Sequence, residues 1–123
     1  MASPIDPDEL ALVVAAISCG TTGCCEWDSA AAERFRRKPP IPGLTPEGDS
    51  KLLEASVVAG HPVIQVVEER EYWKNRRDFN RIYYKVILPI SGLIRGLFVE
   101  IVLTDDDREL PSVMIVNAHE QQP

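Results

Sequence analysis

Three β-prone runs crowd the carboxyl-terminal third of the chain, and their spacing constrains the fold more than any other feature. Residues 81–90 (RIYYKVILPI), 97–104 and 112–119 are rich in β-branched and aromatic side chains. Ser91-Gly92 opens the first connection, and the polar stretch 105–111 forms the second. Connections this short do not accommodate a parallel crossover, so the runs are expected to pair as an antiparallel meander. Residues 62–67 alternate weakly, contain β-branched positions and supply a fourth candidate strand.

Register follows from the turns. A turn near residues 91–94 sets Lys85 opposite Glu100 and Tyr84 opposite Ile101. Pairing Thr104 with Ser112 then sets Leu103 by Val113, Ile101 by Ile115 and Leu97 by His119. One sheet face gathers Ile82, Tyr84, Val86, Leu88, Leu97, Val99, Ile101, Leu103, Val113 and Ile115, which is a core. The other gathers Tyr83, Lys85, Ile87, Phe98, Glu100, Val102, Met114, Val116 and Ala118. A slip of one residue would exchange the two sets, so they stand together.

Helices precede the strands. Asp6-Pro7-Asp8-Glu9 reads as a capped start, and Leu10, Val13, Val14 and Ile17 then form one apolar stripe. A second helix is expected from Ser29 to about Lys38, capped by Asp28, with Trp27, Ala31 and Phe35 on one face. A third opens at Thr45-Pro46 and stops at Gly60, with Leu52, Leu53 and Val57 as its core face. Between the last two, residues 39–46 hold four prolines and read as a stiff connector. These elements predict an α+β fold: amino-terminal helices, then an antiparallel meander of three to four strands with helix packed on one face. Two units are expected, a helical arm over 1–43 and an α+β domain over 44–123.

Composition narrows the function classes. Hydrophobic residues at 45% and charged residues at 26% suit a globular chain. The apolar run 10–17 is too short to cross a membrane, and the acidic start lacks the basic region of a signal peptide. The net charge of -6 disfavours nucleic acid and anionic membrane as partners. Only residues 68–90 reverse the sign, with six basic and four acidic side chains. Cys19, Cys24 and Cys25 form an odd set with no zinc-type spacing, so free thiols in a cytoplasmic setting are expected, with no metal and no cofactor.

Four groups of residues could carry chemistry. Lys85 and Glu100 form either a cross-strand ion pair on a partly exposed face or the polar centre of an apolar binding surface. That surface, Tyr83, Lys85, Phe98, Glu100 and Met114, is the candidate for protein association, with a partner or a second copy. In residues 68–85, Arg76, Arg77 and Trp73 belong to a mixture of basic and aromatic side chains of the kind that grips phosphates and stacks on bases; a solvated loop with Trp73 pinned to the core is the plainer reading. His119, at the end of the last strand, is either a hydrogen-bonded structural residue or a general acid–base, since histidine titrates near neutrality. Clustered carboxylates at 105–109 could face calcium, but EF-hand spacing is missing, and a charged hairpin tip keeps a sheet edge soluble.

Over residues 44–120, the order helix, strand and three-strand meander is similar to the small α+β nucleases of the RelE and colicin type. The resemblance is one of predicted topology. It implies a metal-independent ribonuclease of the toxin–antitoxin class, with Arg81, Lys85 and His119 as catalytic candidates. The leading expectation is otherwise: a small regulatory or binding module without catalysis, using the second sheet face.

Overall fold

The computed structural model describes residues 7–18, 24–67, 82–105 and 107–120. Helix α1 (Pro7–Ser18) carries Asp8 and Glu9 in its first turn, where carboxylates favour the helix dipole. The short strand β1 (Cys25–Trp27) leads into helix α2 (Ser29–Arg37). Asp28 caps α2 by accepting from the Ala31 amide, and Arg34, Arg36 and Arg37 crowd its last turn. Helix α3 (Pro46–Val58) is capped by Thr45, whose hydroxyl accepts from the Gly48 amide, and Pro46 occupies its first turn. Strands β2 (Ile64–Val67), β3 (Ile82–Leu88), β4 (Leu97–Asp105) and β5 (Ser112–Glu120) follow.

The five strands form one sheet in the order β1-β5-β4-β3-β2. The expected meander is present as β3, β4 and β5, with β2 antiparallel beside β3. The purely antiparallel sheet of three to four strands is corrected to a mixed sheet of five. Residues 25–27 pair parallel with β5, and the ladder is extended by amides of Val113 to the Cys24 carbonyl and of Asp28 to the Ile115 carbonyl. This pairing covers the outer edge of β5 with a strand from near the opposite end of the sequence.

Lys85 stands opposite Glu100, and Tyr84 opposite Ile101. On the other side, Leu103 meets Val113 and Ile101 meets Ile115. Two shifts in the ladder correct the rest: one between Leu103 and Asp105, so that Asp105 and not Thr104 pairs with Ser112, and one between Glu100 and Ile101. Val116 is the extra residue of a bulge, so Glu100 faces Asn117, Phe98 faces His119 and Leu97 faces Glu120. The bulge moves Ala118 to the core side, where it packs against the cluster. It moves His119 to the opposite face.

One cluster holds the molecule together. Tyr84, Val86, Val99, Ile101 and Ile115 are fully buried on the sheet, under Val13, Ala16 and Ile17 of α1, Phe35 of α2, and Leu53 and Val57 of α3. Residues on both sides of the proline-rich connector therefore contribute to the same core. The third helix differs from its expected face. Leu52 is exposed, and the buried stripe is Pro46, Asp49, Ser50, Leu53 and Val57. A further polar link crosses the layers: the buried Tyr84 hydroxyl donates to the Glu9 carboxylate of α1 and accepts from Gln65 of β2.

Candidate functional site

All three helices pack on the core face, so among the described residues no helix lies on the other face of the sheet. The strand registers arrange that face in rows. Ile87, Phe98 and His119 form one row; Ile64, Lys85, Glu100 and Asn117 form the next; Val66, Tyr83, Val102, Met114 and Glu26 form the third. Tyr83, Lys85, Ile87, Phe98 and Met114 are each half-buried, which leaves their outer sides open to contact. Glu100 is 1% exposed and Val102 6% exposed at the middle of the face.

The geometry at one end is specific. The rings of Phe98 and His119 stack with centres 5.0 Å apart. The Lys85 ammonium lies 5.8 Å from the centre of the Phe98 ring, within cation–π range. The His119 Nδ1 and the Glu120 carbonyl are 3.0 Å apart. This gathers Lys85, Phe98 and His119 at one end of the face and leaves an apolar strip with exposed Glu26 at the other.

The structure therefore brings Tyr83, Lys85, Phe98, Glu100 and Met114 onto one face, and it adds His119 to them. Trp73, Arg76, Arg77, Arg81 and Cys19 lie outside the described residues. At the hairpin tip, the Asp105 carboxylate accepts from the Asp107 amide and the Asp107 carboxylate from the Glu109 amide, so these acids cap their own loop.

A second site lies on the helix side. The Trp27 indole N–H donates to the Pro46 carbonyl at 3.1 Å and to the Ser50 hydroxyl at 2.9 Å, tying β1 to the first turn of α3. Trp27 also packs on Phe35, with ring centres 5.1 Å apart. A cleft of about 250 Å³ opens here, lined by Cys25, Glu26, Trp27, Arg36, Glu47 and Ser50 among others. Arg36 and Glu47 bridge its rim at 3.0 Å. Beside it, Asp49 is 0% exposed, and neither carboxylate oxygen has a hydrogen-bond partner. Burial pushes its carboxyl up to about 7. Burial, and then the nearby Asp49 charge, push the Cys25 thiol up to about 12, which keeps it protonated and unreactive at neutral pH. Cys24 and Cys25 are both buried as reduced thiols.

Sequence reasoning does not find Asp49. Its one available signal is spacing: Asp49, Leu53 and Val57 recur every four residues along one helix face.

No family model matches the chain, no curated protein matches it, and no solved structure matches it. Among the described residues no helix is long and apolar enough to cross a membrane.

Proposed function

We propose that the chain is a small cytosolic binding or regulatory module that associates with protein through the open sheet face. The single observation that supports this is the one-sided placement of the helices, with Tyr83, Lys85, Phe98 and Met114 half-buried on the other side. Aromatic residues and methionine around a limited charged centre are the composition of an interface core. A face carrying both Lys85 and acidic Glu26 also has the mixed charge that a second copy, related by a two-fold axis, can meet.

Phe98→Glu tests the proposal. It replaces the ring against which His119 and Lys85 lie with a carboxylate, at the aromatic end of the open face. The circular dichroism and melting transition are expected to persist, while light scattering shows assembly lost. A wild-type chain that stays monomeric over a wide concentration range and captures no protein would overturn the reading.

A second reading has one observation in its favour. Lys85 and His119 meet on either side of Phe98, which gives a base-stacking ring, a cation and a titratable imidazole in one patch. That is the chemistry of the metal-independent ribonuclease alternative. It requires RNA binding that weakens steeply with salt, and cleavage in the presence of a chelator that His119→Ala abolishes. RNA binding with a flat salt response, or no cleavage, removes it.

A further inference from the structure

The most anomalous group in the molecule is Asp49. Buried polar atoms are nearly always hydrogen-bonded, and a carboxylate taken from water without partners is especially costly. Both Asp49 oxygens are without a partner, on a residue that is 0% exposed. Its place in the first turn of α3 would favour ionisation through the helix dipole. Burial works the other way and dominates.

The charged and titratable groups around it supply no counterion. Cys25 of β1 is close enough to feel the Asp49 charge, and it also feels Cys24, Glu54 of α3 and Glu26, which alternates to the open sheet face; Glu47 lies on α3 itself. From α2 comes Arg36, which is engaged by Glu47 at the cleft rim. Helix α1 also packs against α3, and its Glu9 carboxylate accepts from Tyr84. Burial is the one cause that raises the Asp49 carboxyl, and of the cations nearest to it in α2 and α3, Arg36 is engaged by Glu47 and Lys51 is exposed to solvent. The turn that carries Asp49 is held to the sheet by the two hydrogen bonds of the Trp27 indole, at the wall of an open cleft. Pro46, Glu47 and Ser50, on either side of Asp49 in the chain, line that cleft.

We infer that the first turn of α3 is a proton-controlled latch: neutral Asp49 lets it seat against β1, and loss of the proton lifts it, widening the cleft beside Trp27 and Cys25. The latch lies on the helix side of the sheet and is independent of the binding reading of the opposite face. Its direction is fixed by charge. Acid closes it and alkali opens it, because the open state alone solvates the carboxylate.

The full chain labelled with 5-fluorotryptophan reports the latch directly, since Trp27 holds it shut; Trp27→Phe assigns the resonance. The ¹⁹F signal of Trp27 is expected to move from a buried to a solvent-exposed position with a midpoint near 7. In Asp49→Asn, which keeps the shape of the neutral acid, the signal should stay in the buried position throughout. Should that variant fail to fold, the Asp49 carboxyl carbon can be titrated by ¹³C NMR in the wild type, alongside the tryptophan. A carboxyl midpoint at the ordinary aspartate value near 4 overturns the inference. So does a Trp27 transition that is absent, or unchanged in Asp49→Asn.

Discussion

Ile101 and Asp49 are both fully buried, and they show what a single side chain decides here. Ile101 sits at the centre of the sheet between Tyr84 and Ile115. Ile101→Ala is expected to cost about 2–5 kcal/mol, because the removed methyls leave a cavity that strands on both sides hold open. Urea denaturation measures this, and a loss well under about 1 kcal/mol would show that Ile101 is not at the centre of the core. Asp49 acts through pH. Its folded value of about 7 lies above the unfolded value of 3.8, so the folded chain holds the proton more tightly. Its contribution is therefore complete below pH 3.8, declines as pH rises to about 7, and is flat beyond. The total penalty is at most about 4.5 kcal/mol, since each tenfold change in proton affinity is worth about 1.4 kcal/mol. Wild type is expected to lose stability relative to Asp49→Asn as pH is raised through this range, as read by urea midpoints at several pH values. Parallel curves would show that Asp49 is not a buried neutral acid.

At the scale of elements, what the sequence reveals depends on range. The pairs Lys85–Glu100 and Tyr84–Ile101 are legible because a short connection and a period of two determine a hairpin register. The bulge at Val116 is not, since it has no local signature, and it sends His119 to the face that strict alternation denies it. Strand β1 escapes notice because three residues are too few to show alternation, and its partner β5 lies at the far end of the chain. The α3 stripe is misread from sequence because an aspartate at a core position looks like a solvated one until the fold buries it. The tie between β1 and α3 makes its own prediction. Trp27→Phe keeps the ring contact with Phe35 and removes the donor to Pro46 and Ser50. The expected cost is about 1–3 kcal/mol by thermal or urea denaturation, as a buried acceptor is left without its partner. A loss confined to a few tenths of a kcal/mol would mean that water or the Ser50 hydroxyl replaces it.

For the whole molecule the question is whether residues 1–43 are an attached arm or part of the fold. The prolines at 39–46 suggest an arm, because stiff extended segments often join separate units. Packing suggests the reverse. Strand β1 supplies an edge of the sheet, and without it the backbone of β5 would be an open edge inviting aggregation. Val13, Ala16 and Ile17 of α1, and Phe35 of α2, lie on the same sheet face as Leu53 and Val57 of α3. Removing them would uncover Val113 and Ile115 and leave α3 alone to shield the face. At roughly 80 residues the remainder would also have a smaller core to offset its conformational entropy. Deleting residues 1–40 is therefore expected to abolish the cooperative melting transition and produce a soluble aggregate or a collapsed state that binds hydrophobic dye. Calorimetry with dye binding decides it. A fragment that melts cooperatively, keeps its sheet signal and stays dispersed would establish the arm as separable and shift the core of the fold to residues 44–120.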